Sequence, residues 1–189
     1  LMKNKQRIIA ILGGTGALGS ALTRKWSIAG HQIIIGSRNA EKAISVATEI
    51  NAEIGNENIT GSDLKEAAQN CQIALLAVPY FSHEETLRQI KPFLSKKILV
   101  DTTVPLSKPV TKVNLPISGS AAFDAQELLG DEIYVVSALQ NIGSHLISSK
   151  EPIDAEVLVC GNSTDAVNEV IELIGDLGLT CWHAGSIEI

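Results

Sequence analysis

Short apolar runs alternate along the chain with stretches in which apolar residues recur at helical spacing. The segment 7–12 predicts a strand buried on both faces of a sheet, because five apolar residues in a row are followed by glycine. Residues 17–29 predict an amphipathic helix that Gly30 is expected to end. Further apolar runs predict strands at 31–35, 59–60, 73–78, 97–101, 133–137, 156–160 and 179–182.

The same periodicity predicts the remaining helices, at 40–53, 63–70, 83–94, 121–129 and 164–177. Ser62 or Asp63 is expected to cap the second of these and Ser163 the last. Residues 102–119 are rich in Thr, Ser and Pro and predict a loop. This alternation indicates an α/β fold of the Rossmann type, a doubly wound and mostly parallel sheet with flanking helices. The 189 residues are expected to form a single domain over 1–189.

The most specific motif follows the first predicted strand. The loop Gly13-Gly14-Thr15-Gly16-Ala17-Leu18-Gly19 contains GxGxxG and opens a helix, which is the context of a dinucleotide-binding loop rather than of a merely structural turn. In such a loop Gly14 permits the tight turn, Gly16 lets the backbone approach a pyrophosphate, and Gly19 lets the helix pack closely. Backbone N–H groups at the helix N-terminus would face the phosphate charge.

The end of the second strand indicates which dinucleotide binds. An NAD site has an acid there, which binds the ribose 2′-hydroxyl. This chain has Ser37-Arg38-Asn39, with no acid until Glu41. The Ser37 hydroxyl and Arg38 guanidinium would bind a 2′-phosphate, and Lys42 lies one helical turn further on. The sequence therefore favours NADP over NAD.

Two later strand ends lie at the edge of the sheet where open α/β sheets bind ligands. Val78-Pro79-Tyr80 follows one of them, and Tyr80 either flanks the cofactor or packs on the surface. Asp101 ends the other and is expected to cap its own loop through neighbouring amides.

The net charge of −6 is unevenly distributed. Residues 1–42 carry seven basic side chains and one acid, whereas the remainder carries eight basic and twenty acidic ones. An acidic chain argues against a nucleic-acid partner, and a local basic segment suits a small phosphorylated ligand. We interpret Lys3, Lys5 and Arg7 as a solvated basic tail.

Composition limits the compartment and the chemistry. Cys71, Cys160 and Cys181 lie in or beside apolar runs without metal-ligand spacing, which predicts buried thiols, no metal site and a reducing cytoplasm. No apolar run approaches the roughly 20 residues of a membrane helix, so no membrane partner is expected. The histidines have no nucleophile or carboxylate partner at motif spacing, so no acid–base catalyst is predicted; they are His31, His83, His145 and His183.

These motifs together resemble the NADPH-dependent coenzyme F420 reductase family (F420H2:NADP oxidoreductase). The similarity extends over essentially the whole chain, in register. Its segments are Gly13–Gly19, Gly36–Lys42, Val78–Tyr80, Val104–Pro105, Ser120–Ala122, Val136–Asn141, Val159–Gly161 and Ala184–Gly185.

The resemblance implies direct hydride transfer between the nicotinamide of NADPH and the deazaflavin ring of coenzyme F420, stacked in a cleft beside the sheet. It implies NADP-binding and ring-binding residues but no catalytic side chain, and it implies a homodimer. Residues 102–189 would complete the sheet and the second-cofactor cleft. The implied cofactor-binding residues are Gly13, Gly14, Thr15, Gly16, Ala17, Leu18, Gly19, Ser37, Arg38, Asn39, Lys42, Val78, Pro79 and Tyr80 for NADP, with Leu106, Ser137, Ala138, Leu139, Gln140, Asn141 and Ser144 around the nicotinamide and second ring.

Two alternatives stay open at this point. The NADP-binding module is also similar to the cytoplasmic domain of STEAP ferric reductases, so the acceptor could be FMN, FAD or another small molecule. The second alternative is a non-catalytic NADP-binding domain.

Members of the resembled family continue into a helical segment beyond the position of Ile189, and such a segment is expected to be missing here.

Overall fold

Ten strands and seven α-helices follow one another along residues 5–107, 112–149 and 151–188, the part of the chain that this computed structural model describes. The strands are β1 (Ile8–Leu12), β2 (Gln32–Ser37), β3 (Ile59–Asp63), β4 (Ile73–Leu76), β5 (Ile98–Asp101), β6 (Leu106–Ser107), β7 (Lys112–Val113), β8 (Tyr134–Ser137), β9 (Glu156–Gly161) and β10 (Thr180–Gly185). The helices are α1 (Ala17–Ile28), α2 (Ala40–Ile54), α3 (Leu64–Asn70), α4 (His83–Ile90), α5 (Ala121–Leu129), α6 (Ser144–Ile147) and α7 (Thr164–Gly175).

Eight of the strands form one sheet in the order β10-β9-β8-β5-β4-β1-β2-β3. All neighbouring pairs are parallel except β8 and β9. The run β3-β2-β1-β4-β5-β8 is the Rossmann order, with its switch point between β1 and β4. The predicted doubly wound, mostly parallel fold is therefore confirmed. None of the helices in the described residues is both long and apolar enough to span a bilayer.

Three local features differ from the sequence prediction. The predicted loop 102–119 contains a hairpin in which Leu106 of β6 pairs with Val113 of β7. The short helix α6 was not predicted, and β9 runs antiparallel to β8. Elements of two to four residues are too short to show a period, and strand direction depends on pairing rather than on the composition of the strand.

The sheet separates two hydrophobic cores. Along β1, Ile9 and Ile11 face the core beneath α1, α2 and α7, while Ala10 and Leu12 face the core beneath α3, α4 and α5. Trp26 of α1 is fully buried, and its indole N–H donates to the Leu173 carbonyl at 2.8 Å. This bond satisfies the one polar group that Trp26 buries and joins the first helix to the last.

Arg7 contradicts the interpretation of a solvated basic tail. Its side chain is only 3% exposed; its Nε donates to Glu169 at 2.7 Å and its Nη2 to Glu172 at 2.6 Å. Lys5 is exposed but also binds Glu169, at 3.0 Å, and Lys3 lies outside the described residues. A guanidinium can be buried because carboxylates pair with it, and here α7 supplies them.

Glu169 is the central acid of this cluster. Burial alone would raise the pKa of its carboxyl, but hydrogen bonds from Arg7 and Lys5 and their positive charges hold that pKa below its ordinary value. The ion pair therefore stabilises the fold above the unfolded-state pKa of Glu169, and the stabilisation is lost as the pH falls through the folded-state pKa.

Replacing Glu169 with Gln is expected to lower the free energy of unfolding at neutral pH by about 1.5–3 kcal/mol, because Arg7 stays buried with one charged partner fewer. Urea unfolding from neutral to acid pH measures this, and the stabilities of variant and wild type should converge as the pH falls. Glu172→Gln is the control, expected to cost less because the Glu172 side chain is 66% exposed. A difference for Glu169→Gln that stays constant with pH would contradict the assignment.

Candidate functional site

The loop between β1 and α1 needs glycine at two neighbouring positions for different reasons. Gly13 has a φ of +86°, the left-handed conformation that favours glycine, and its N–H donates to the Gly36 carbonyl at 2.9 Å. A Cβ on Gly14 would lie 2.8 Å from the Ile11 carbonyl oxygen. Sequence reasoning assigned the tight turn to Gly14; the positive φ belongs to Gly13, and Gly14 is required by close contact with β1.

The other two glycines of the loop differ sharply from each other. A Cβ on Gly19 would lie 2.5 Å from the Cα of Gly14, so glycine there lets α1 pack directly on the loop, as predicted. A Cβ on Gly16 would meet only the Gly13 carbonyl oxygen, at 3.4 Å. The protein itself therefore tolerates a side chain at Gly16, and the space beside this residue is open.

Helix α1 begins without a capping side chain. Its N-cap residue is Gly16, no side chain accepts from the first amides, and its first turn contains no acid. The helices α2, α3, α5 and α7 are capped by the side chains of Asn39, Asp63, Ser120 and Ser163. The first amides of α1 and the positive end of its dipole are thus free to bind an anion.

Two cations stand at the end of β2, next to this helix terminus. The Asn39 side chain accepts from the Lys42 amide at 2.9 Å, and the Asn39 amide donates to the Ser37 hydroxyl at 3.2 Å, which shapes the turn. Arg38 and Lys42 are exposed, and within the described ranges neither side chain pairs with a carboxylate. Because Leu12 and Gly36 are neighbours in register, both cations lie beside the glycine loop.

One crevice contains residues from three predicted parts of the site: the glycine loop, the end of β2 and the segment after β4. It lies at the carboxyl ends of β1, β2 and β4. Its lining residues are Gly13, Thr15, Gly16, Ser37, Arg38, Leu64, Ala77, Val78, Pro79, Ser82 and Thr86. Of the remaining residues of the glycine loop, Gly14 packs against β1 and Ala17 to Gly19 begin α1.

Tyr80 lies outside this crevice, in the groove between α4 and α5. Its ring centroid is 6.0 Å from that of His83. Burial raises the pKa of the Tyr80 phenol, and the negative charges of Asp124 and Glu84 raise it further. The phenol therefore stays protonated at neutral pH and can donate a hydrogen bond.

The segment after β8 is tied to the end of β5. Ser137 is the register neighbour of Asp101. The side-chain Nε2 of Gln140 donates to the Ser137 hydroxyl at 2.9 Å and to the main-chain carbonyl of Asp101 at 2.8 Å. Ala138 and Leu139 are buried, and Leu139 has a φ of +70°, which is uncommon for a residue other than glycine. Such backbone strain is concentrated at functional sites.

The other predicted ring-binding residues are more exposed. Leu106 is 38% exposed in the hairpin strand β6, which packs near the Tyr80–Ser82 turn. Asn141 is exposed and donates to the Glu156 carbonyl at 2.8 Å, and Ser144 is half-buried at the start of α6.

Two histidines have carboxylate partners, contrary to the sequence prediction. His83 Nε2 lies 2.6 Å from Asp101 Oδ2, and His31 Nε2 lies 2.9 Å from Asp176 Oδ2. Asp101 also caps its own loop as predicted, because its Oδ1 accepts from the Thr103 amide at 2.9 Å. No spacing along the chain reveals these pairs, since each joins separate elements that only the assembled sheet brings together.

Solved structures support the fold. A hypothetical protein from Sinorhizobium meliloti superposes with a TM-score of 0.78 at 23% identity, covering 98% of this chain and 87% of that one. A pyrroline-5-carboxylate reductase from Coxiella burnetii superposes with a TM-score of 0.63 at 17% identity, covering 96% of this chain and 60% of that one. At these identities the likeness shows the architecture alone.

Sequence comparisons reach further. The F420-dependent NADP reductases of Methanothermobacter marburgensis and Methanocaldococcus jannaschii are 35% and 37% identical to the chain over 190 residues, covering 95% of this chain and 84% of each relative. A family model described as "NADP oxidoreductase coenzyme F420-dependent" matches residues 8–105, from the start of β1 to the loop after β5. The chain therefore belongs to the family of coenzyme F420-dependent NADP oxidoreductases.

Proposed function

We propose that the chain transfers a hydride between NADPH and coenzyme F420. The observation that carries the NADP half is the uncapped α1 on a crevice lined by Arg38, with Lys42 close by in the first turn of α2; neither cation pairs with a carboxylate among the described residues. The F420 half rests on family membership, since relatives more than 30% identical over nearly the whole chain are F420-dependent NADP reductases.

The residues present fit NADP. The open space beside Gly16 and the free amides of Ala17 and Leu18 suit the pyrophosphate, with Thr15 on the rim of the crevice. The Ser37 hydroxyl and the side chains of Arg38 and Lys42 suit the 2′-phosphate, whose charge an acid at this position would repel. The Asn39 side chain holds this turn in shape.

The ring half of the site lies along β4, β5 and β8. Val78 and Pro79 line the crevice, and Tyr80 follows them. We assign the nicotinamide and the second ring to the space between this segment, Leu106 and the segment 137–144. Residues 102–189 would then complete the sheet and the second-cofactor cleft of a single domain.

When bound, the two cofactors supply the reaction itself, a hydride passing between the nicotinamide and deazaflavin rings, with one proton exchanged with water. Transfer between two activated rings needs alignment and exclusion of water more than it needs an acid or base. The residues lining the site therefore act by binding and orienting, and we assign no catalytic side chain.

A homodimer is part of the proposal. Leu158 of β9 and Trp182 of β10 are register neighbours, and their side chains are 62% and 54% exposed. Large apolar side chains placed together near a sheet edge favour a protein interface. Light scattering of the purified chain tests this, and a monomeric mass at micromolar concentration would overturn it.

A cytoplasmic location is also proposed. Cys71, Cys160 and Cys181 are all free, and burial raises the pKa of each thiol above its ordinary value. Unpaired thiols with a raised pKa suit a reducing compartment.

The function is tested by stopped-flow absorbance with NADPH, offering coenzyme F420 and FMN separately. We expect rapid loss of the deazaflavin absorbance and no reduction of FMN. Reduction of FMN alone would make the chain a flavin reductase, and NADPH binding without reduction of either acceptor would make it a binding module.

Replacing Arg38 with Ala should weaken NADPH binding by about 1.5–3 kcal/mol and leave NADH binding nearly unchanged, because only NADPH has a 2′-phosphate. Fluorescence titration of both nucleotides measures the difference. Arg24→Ala is the matched control, since Arg24 already pairs with Glu53 at 2.7 Å and should not affect the ratio. Equal losses for the two nucleotides would remove Arg38 from the 2′-phosphate site.

The glycine loop allows a paired test of binding against folding. Gly16→Ala should cost less than about 1 kcal/mol of stability but weaken binding of both nucleotides at least tenfold, because its methyl group enters space that the pyrophosphate needs. Gly19→Ala should destabilise the fold by about 1–3 kcal/mol, because its methyl group meets the loop backbone. Urea unfolding and NADPH titration of both variants separate the effects. Unchanged NADPH binding by Gly16→Ala would refute the loop assignment.

A further inference from the structure

We propose that the buried His83–Asp101 pair is a positioning device for the reactive half of the cleft. The pair fixes the loops that follow β4, β5 and β8, and it takes no part in holding the adenosine half of the nucleotide. The identity of the ligand rests on the proposed function; the positioning role rests on the contacts of the pair.

Asp101 connects three separate segments of the cleft. Its Oδ2 binds His83 at the start of α4, and its Oδ1 accepts from the Thr103 amide in the loop after β5. Its main-chain carbonyl accepts from the Gln140 side chain at 2.8 Å and from the Ala138 amide at 3.3 Å. Two of these segments are held by the Asp101 carboxylate, and the third is held by its main-chain carbonyl at the end of β5.

Both members of the pair are buried, with Asp101 0% and His83 3% exposed. A carboxylate without solvent contact is costly unless it is paired and hydrogen-bonded. Apolar residues would fill the same space at lower cost, so a buried polar pair is better explained by the geometry that it imposes than by stability.

The contacts of the pair reach residues that the proposal assigns to the ring half of the site. His83 begins α4 directly after the Tyr80–Ser82 turn, and its ring lies beside that of Tyr80, tilted by 37°. Gln140, held by the Asp101 carbonyl, bridges to Ser137 and closes the turn that contains the strained Leu139. The pair therefore determines where these groups stand relative to a ring bound between them.

The groups assigned to the phosphates of the nucleotide are held separately from the pair. They lie on the loops after β1 and β2, and no hydrogen bond joins them to His83 or Asp101 in the described part of the chain, although Ser82 and Thr86 beside His83 line the same crevice. Nucleotide affinity and ring alignment should thus respond separately to loss of the pair.

A second His–Asp pair provides the control, with His31 buried and Asp176 partly buried. His31 is 1% exposed and binds Asp176 at 2.9 Å, and its Nδ1 accepts from the Arg7 amide at 3.2 Å. His31 and Arg7 precede β2 and β1, so this pair lies at the amino ends of the parallel strands, away from the cleft. Like His83–Asp101, it joins a histidine Nε2 to an aspartate Oδ2, but it lies at the opposite end of the parallel strands.

The test compares His83→Leu, His83→Gln and His31→Leu. Four quantities are measured: urea stability, the Kd for 2′,5′-ADP, the single-turnover rate of hydride transfer from NADPH to coenzyme F420, and backbone hydrogen exchange. His83→Leu should leave the Kd for 2′,5′-ADP within about threefold and slow hydride transfer at least about tenfold, since small misplacements of reacting groups are costly. Exchange should accelerate in segments 78–82, 102–105 and 137–141.

His83→Gln should restore most of the rate, because its side-chain amide can donate to Asp101. His31→Leu should lose stability but keep the hydride-transfer rate within about twofold. If His83→Leu does not fold, Asp101→Asn takes its place, since it keeps the side-chain volume.

Equal slowing of hydride transfer by His83→Leu and His31→Leu would overturn the proposal, as would unchanged exchange in the three segments. If wild-type protein binds 2′,5′-ADP but transfers no hydride to F420, the proposed function fails. The exchange and 2′,5′-ADP measurements would still decide whether the pair positions the loops.

Discussion

The rest of the structure depends on how closely α1 approaches the loop that precedes it. A Cβ on Gly19 would lie 2.5 Å from the Cα of Gly14, so any larger residue would push the helix away from the sheet. That contact aims the uncapped end of α1 at the crevice and seats Trp26 in the core, where it reaches Leu173 of α7. The nucleotide site and the packing of the first helix against the last are thus consequences of one close approach.

The features that sequence could predict are those that depend on neighbours along the chain. Apolar runs located the strands of the sheet and helical spacing located the helices that flank it, because burial of one or both faces of a regular element requires apolar residues at regular positions. The NADP preference followed from a missing acid and the presence of Arg38, since charge at this one turn determines which ribose is accepted. The sequence predicted a cap by Ser62 or Asp63 on α3 and by Ser163 on α7; the structure has Asp63 and Ser163 as these caps.

The features that sequence missed depend on assembly. Arg7 looked like part of a solvated tail because its partners, Glu169 and Glu172, lie in the last helix. His83 and Asp101 are 18 residues apart and meet because the chain places the start of α4 against the end of β5. The positive φ belongs to Gly13 and not to Gly14, and a Cβ on Gly13 would lie 2.5 Å from the Ala77 carbonyl oxygen after β4. No local sequence pattern encodes this contact with a distant segment.

The Arg7 cluster also constrains the order in which the chain can fold. Arg7 precedes the first strand, and it stands 162 residues from Glu169 and 165 residues from Glu172. While the protein is being synthesised, the whole nucleotide-binding half emerges before α7 can neutralise this cation. Contacts over such separations form late and slow the search for the native state. The core that contains Ile9 and Trp26 also contains Leu173, so the packing of the first strand and first helix is complete only with α7 in place.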